Sequence, residues 1–180
     1  INNTATGLRN DGTITLNGDD SVALIYEPGN ITGSVTFENV GNISSTRDKN
    51  VGMFSKLSKN NASYITKNTG NITLGNADSL SNPTVGMYTN ATSTGTNLLI
   101  NTGNITVGNN DSTGIFLENG GNLNLTAGNL NVGDNSYGVV AIGNDSFNYT
   151  NNAAVNVSLG EGSTYFYSSN PVSYTHLTLP

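Results

Sequence analysis

One short motif recurs along the whole chain, and its spacing constrains the fold more than any other property. The clearest copies are Gly70-Asn-Ile-Thr-Leu-Gly-Asn76, Gly103-Asn-Ile-Thr-Val-Gly-Asn109 and Gly128-Asn-Leu-Asn-Val-Gly-Asp134. Looser copies begin at Gly12, Gly41 and Val155. Their first apolar residues are Ile14, Ile43, Ile72, Ile105, Leu130 and Val157, at intervals of 29, 29, 33, 25 and 27. A second block follows each copy: Val22–Ile25, Val51–Phe54, Val85–Tyr88, Thr113–Phe116, Tyr137–Val140 and Ser163–Phe166. A weaker third block precedes the next copy, at Val35–Asn39, Tyr64–Asn68, Leu98–Asn101 and Leu123–Thr126. The longest interval is accounted for by extra residues around Leu80 to Thr84, which include Pro83 as a loop would.

Each repeat thus carries three short strand signals separated by turns. Asn (32 residues) and Gly (22 residues) recur too often for stable helices. A single repeat buries only a few apolar side chains, at ~1.5–3 kcal/mol each. Ordering its backbone costs ~1–2 kcal/mol per residue, so neighbours must supply the missing contacts. Stacking strand on strand at ~4.8 Å satisfies the backbone and aligns like residues into columns. The expected fold is all-β: a right-handed parallel β-helix, or solenoid, of about six rungs with three short strands per rung. A propeller blade needs a longer period. Calcium-binding nonapeptide rolls need Gly-Gly-x-Gly-x-Asp, which does not occur.

The hydrophobic fraction of 34% is low for a globule, but the apolar residues are β-branched, leucine and aromatic, set in short runs. A net charge of −6 argues against nucleic acid, and all six basic residues fall within the first 67 positions. No cysteine is present, so disulfides and thiolate metal sites are excluded. No signal peptide or long apolar run is visible, so if the protein is exported its signal is expected outside this piece. Residues 171–180 break the style of the rest and resemble the one-frame translation of a DNA-library adapter. We therefore expect residues 1–170 to be the repeat fragment of a larger protein and 171–180 a non-native tail. His176, the only histidine, goes with that tail.

The motif Gly-Asn-Ile-Thr-Val-Gly, then Asp or Ser, then Gly-Ile-Phe or Gly-Met-Tyr, resembles passenger repeats of large Gram-negative autotransporter adhesins. The resemblance spans about residues 12–167. It implies a β-helical passenger exposed at the bacterial cell surface and tethered by an outer-membrane barrel lying outside this piece. It also implies a structural or adhesive role, with a surface glycan or protein of a host cell or bacterium as partner. Membrane contact is expected through that barrel alone. No catalytic residue is carried over.

Two columns run through the second block: Leu24, Met53, Met87, Ile115, Val139 and Tyr165, and beside it Ile25, Phe54, Tyr88, Phe116, Val140 and Phe166. Adjacent strand residues face opposite sides, so one column faces outward. An outward aromatic column would make Phe54, Tyr88, Phe116 and Phe166 a ligand-facing stripe. The preferred reading puts the aromatics in the lumen, because apolar residues are most often buried. Asp19, Asp20, Asp48, Asp78, Asp111, Asp134 and Glu161 gather in the turn after the first block. Stacked carboxylates could bind Ca²⁺, but Asp is also favoured in turns for its bonds to the local backbone, and the turn reading is preferred. Asn39, Asn68 and Asn101 form a further column, read as structural. The twelve Asn-x-Ser/Thr sequons follow from composition.

Enzymes are the natural rival, since parallel β-helices include polysaccharide lyases and glycosidases. A glycosidase needs paired carboxylates in distinct environments, whereas these acids repeat from rung to rung like scaffold. Residues 1–170 contain neither His nor Cys, and the C-terminal half has no Lys or Arg to act as a lyase base. We expect no enzyme, no cofactor and no metal. The alternative is a carbohydrate-binding or carbohydrate-active β-helix: a lectin-like module, lyase or glycosidase.

Overall fold

The computed structural model describes residues 2–4, 7–28, 33–57, 62–78, 82–91, 96–143, 147–169 and 172–175. Every regular element in it is a strand, and the strands form three sheets. The first sheet holds β3 (Thr13–Leu16), β6 (Asn42–Ser45), β9 (Asn71–Thr73), β12 (Asn104–Val107), β15 (Gly128–Val132) and β18 (Val155–Leu159). The second holds β4 (Val22–Tyr26), β7 (Val51–Leu57), β10 (Val85–Ala91), β13 (Thr113–Glu118), β16 (Tyr137–Ile142) and β19 (Thr164–Ser168). The third runs through β2 (Gly7–Asn10), β5 (Gly33–Asn39), β8 (Ala62–Asn68), β11 (Thr96–Asn101), β14 (Gly121–Leu125), β17 (Phe147–Asn151) and β20 (Val172–Thr175). All these pairings are parallel, and only β1 (Asn2–Thr4) adds antiparallel, to β2. The chain is therefore a parallel β-solenoid with three strands per rung, as the repeat spacing requires.

The first-block column forms in the expected register, from Ile14 through Ile43, Ile72, Ile105 and Leu130 to Val157. Its inner members are buried, while Ile14 and Val157 are half-buried because each has one neighbouring rung. Opposite them, Leu24, Met53, Met87, Ile115 and Val139 are at most 2% exposed, so the aliphatic column faces the lumen. Phe37, Leu99, Leu123 and Tyr149 close the core from the third sheet.

Two expectations are corrected here. The aromatic column points outward, not into the lumen: Ile25 is 53% exposed and Phe54, Tyr88 and Phe116 are half-buried. The reason is volume, since the first- and third-sheet side chains already fill the interior. The last rung is also shifted by one residue. Phe166 pairs with Val139 in the inner column and Tyr167 pairs with Val140 in the outer one, so Phe166 leaves the stripe. Tyr165 there takes the place held by glycine at 52, 86, 114 and 138, which disguised the register. The glycines matter: a Cβ at Gly86 would lie 2.5 Å from the Gly114 carbonyl and 2.7 Å from Ile105 Cγ2.

The asparagine column is longer than expected, because Asn10 joins it. Asn10, Asn39 and Asn68 each donate from Nδ2 to Oδ1 of the next member, at 2.8, 2.9 and 2.9 Å, the last reaching Asn101. Each of these Nδ2 groups also donates to the carbonyl two residues on, at Gly12, Gly41 and Gly70, as Asn101 does at Gly103. Both amide hydrogens are thus used within a core where an unpaired polar group costs ~1–3 kcal/mol. The corner needs glycine, since a Cβ at Gly70 or Gly103 would meet the preceding rung's carbonyl at 2.0 Å. In the next rung the corner is one residue longer, and Leu125 replaces asparagine in the column. A longer corner moves the carbonyl that the amide would reach, so an apolar side chain fits there.

Of the tail, Val172–Thr175 pairs with Phe147–Thr150 as β20, which leaves the origin of residues 171–180 untouched. Pro171, His176 and residues 177–180 lie outside the described residues, as do 79–81 of the insertion.

Two substitutions test this packing by urea denaturation. Ile105→Ala is expected to destabilise by about 2–5 kcal/mol, whereas Ile25→Ala on the outer face stays within about 0.5 kcal/mol. Asn68→Leu removes the partner of one Asn39 amide hydrogen and of Asn101 Oδ1, while the Gly70 carbonyl keeps the backbone N–H of Asn104. It is expected to destabilise by about 1–3 kcal/mol per stranded group.

Candidate functional site

The turn after the first block holds most of the carboxylates, and its geometry shows what they do. Oδ1 of Asp19 accepts the backbone N–H of Asp48, and Asp48 Oδ1 accepts that of Asn76. The chain continues from Asn76 to Asn109, from Asn109 to Asp134 and from Asp134 to Glu161. Each link needs one side-chain oxygen, so Asp and Asn interchange freely along the column. The following residue is left-handed at Asp20, Lys49, Asn110, Asn135 and Gly162, a conformation that Asp, Asn and Gly tolerate best. Lys49 is the exception, and its Nζ lies 3.5 Å from Asp20 and 3.3 Å from Asp78. Among the described residues no three His, Asp or Glu side chains converge as a metal site would need.

The first sheet presents a second amide ladder to solvent. Nδ2 of Asn71, Asn104, Asn129 and Asn156 each donates to Oδ1 of the member one rung back, starting from Asn42, at 2.8–3.2 Å. This face is polar and regular among the described residues.

The outer face of the second sheet differs. Phe54 and Tyr88 rings are 4.9 Å apart by centroid, and Tyr88 and Phe116 are 5.0 Å apart. Tyr88 donates its phenol proton to Glu118 Oε2 at 2.5 Å, and Asn90 Nδ2 donates to the same oxygen at 2.6 Å. Burial, reinforced by the hydrogen bond and the charge of Glu118, pushes the Tyr88 phenol well above its ordinary value. Beyond Phe116 the column continues as Val140 and Tyr167. A groove of about 340 Å³ opens there, lined by Pro83, Thr113, Phe116, Tyr137, Val140, Ile142 and Tyr167.

Three of the four stripe candidates, Phe54, Tyr88 and Phe116, are therefore on one face, and Phe166 is not. Sequence reasoning missed Tyr137 and Tyr167. Tyr137 stands where other rungs carry Val or Thr, and that departure is the signal that could have found it. On the inner side, the Tyr149 and Tyr165 hydroxyls bond one another, and burial raises both phenols.

No protein-family model, curated protein or solved structure matches the chain. No helix among the described residues is long and apolar enough to cross a membrane, which says nothing of a β-barrel.

The raised phenols predict a one-sided pH response. A phenol whose folded-state pKa exceeds its unfolded value of 10.0 favours the folded state fully below that value. The contribution is lost as pH rises through 10 toward the folded values. Urea midpoints should hold between neutral pH and about pH 9 as far as tyrosine is concerned, then fall. Tyr149→Phe should flatten the alkaline fall, and an unchanged slope would remove Tyr149 from the account.

Proposed function

We propose that this chain is a structural and adhesive segment of a bacterial cell-surface autotransporter passenger, with no catalysis of its own. The observation that carries this reading is the repetition of the same two devices through successive rungs. The buried Asn ladder and the Asp/Asn turn ladder both use side chains to bind one rung to the next. A device of that kind makes a stiff extensible rod whose length scales with repeat number. A reaction centre, by contrast, needs groups whose environments differ from those in neighbouring rungs.

Adhesion enters through the second sheet, where half-buried aromatic rings face solvent along the rod. Rings of this kind supply contact area to a surface glycan or protein at low conformational cost. The autotransporter origin rests on the motif resemblance. It carries with it an extracellular location and tethering through a barrel outside this chain.

Residues 1–170 displayed on a bacterial surface through an outer-membrane barrel are expected to increase adherence to host-cell or bacterial surfaces relative to the barrel alone. Phe54→Ala and Phe116→Ala should reduce the gain without loss of display. Equal adherence with and without the segment would leave it a spacer only. Release of new sugar ends from any polysaccharide by the purified chain would overturn the non-catalytic reading and favour the carbohydrate-active alternative.

A further inference from the structure

The outer column of the second sheet is aromatic at Phe54, Tyr88 and Phe116, then drops to a valine for one rung before Tyr167. Phe116 and Tyr167 thus stand two rungs apart, about 9–10 Å at the usual strand spacing. The short Val140 side chain forms the floor between them. Tyr137, on the same strand as Val140, closes another side, its ring tilted 65° to that of Tyr167 with centroids 6.2 Å apart. Phe116, Tyr137 and Tyr167 thus line one groove of about 340 Å³, and aromatic rings gathered about a small volume attract a cation.

The distribution of charge selects the same sign. All six Lys and Arg residues lie within positions 1–67, matched there by six of the twelve carboxylates. Residues 68–180 carry the other six carboxylates and no Lys or Arg, so the whole net charge of −6 belongs to the part that contains the groove. Glu118 pairs in register with Ile142, one of the lining residues. An anionic occupant is disfavoured on this ground.

The walls choose among cations. A primary ammonium has three N–H donors and needs acceptors for them, and a sugar needs several directed hydrogen bonds. The lining is mainly apolar, with Thr113 and the two tyrosines as its hydroxyl-bearing members. A quaternary ammonium has no donor to satisfy, carries an apolar shell and spreads its charge over that shell. We propose that the notch at Val140, walled by Phe116, Tyr137 and Tyr167, is a binding site for a trimethylammonium group of the choline type. This site goes beyond the scaffold reading and stands independently of it, because binding is measured on the isolated chain.

Isothermal titration calorimetry reads binding here, since tyrosine emission would be shared among the eight tyrosines of the chain. Titration of the full chain with choline is expected to saturate. Dimethylbutanol, its uncharged carbon isostere, and butylammonium should each bind at least about fivefold more weakly, the change expected from losing one good cation–π contact. Tyr167→Ala, at a position 48% exposed, should weaken choline binding by at least about fivefold with the circular dichroism spectrum unchanged. Val140→Phe should fill the notch and abolish binding while keeping the column aromatic. Equal affinity for the isostere would show an apolar slot without cation selectivity and overturn the proposal. Tighter binding of methyl glucoside would replace it with a sugar site. No saturable response in the unsubstituted chain would overturn it outright, whatever the variants do.

Discussion

Registry between rungs is the constraint on which everything else in this protein depends, and side-chain amides hold it. Backbone hydrogen bonds alone would accept a strand shifted along its neighbour, and a shift of one residue would turn every inward side chain outward. The buried chain of Asn10, Asn39, Asn68 and Asn101 removes that freedom, because each amide must meet the next while also reaching its own corner carbonyl. The Asp/Asn turn ladder repeats the principle at the opposite end of the first-sheet strand. With both corners pinned, Ile43, Ile72 and Ile105 have one place to go, and the lumen packs in continuous columns.

The same constraint explains a composition that would otherwise suggest a loosely packed chain. Much of the asparagine is in ladders, inside at the third-sheet corner and outside along Asn42, Asn71, Asn104, Asn129 and Asn156. Aspartate in the turn works as an acceptor of backbone N–H groups, and Asn76 and Asn109 do the same without charge. Acidity is thus partly incidental to the turn. The absence of Lys and Arg after residue 67 nevertheless leaves that part of the rod with an uncompensated negative field.

The solenoid and its first-block register were legible in the sequence because identical motifs in stacked rungs must align, as Gly70-Asn-Ile-Thr and Gly103-Asn-Ile-Thr do. Which face the aromatic column takes was not legible. Strand periodicity says that Met87 and Tyr88 face opposite ways, but which points inward depends on the volume left by two other sheets. The last rung misled for a local reason, since Tyr165 displaced the glycine that marks the second block elsewhere. The groove escaped because it is made by an omission. Val140 reads as an ordinary strand residue, and only the rings on either side of it in three dimensions make its size matter.

Hydrogen exchange of the side-chain amides, resolved residue by residue by NMR, tests the registry account most directly. The Nδ2 protons of Asn10, Asn39 and Asn68 each bridge two acceptors, and those of Asn39 and Asn68 are fully buried. They should exchange only when the rungs open, at rates near those of the central backbone amides. The solvent-facing amides of Asn42 and Asn71 should exchange orders of magnitude faster. Equally fast exchange in both sets would show that the buried chain does not hold the rungs in register.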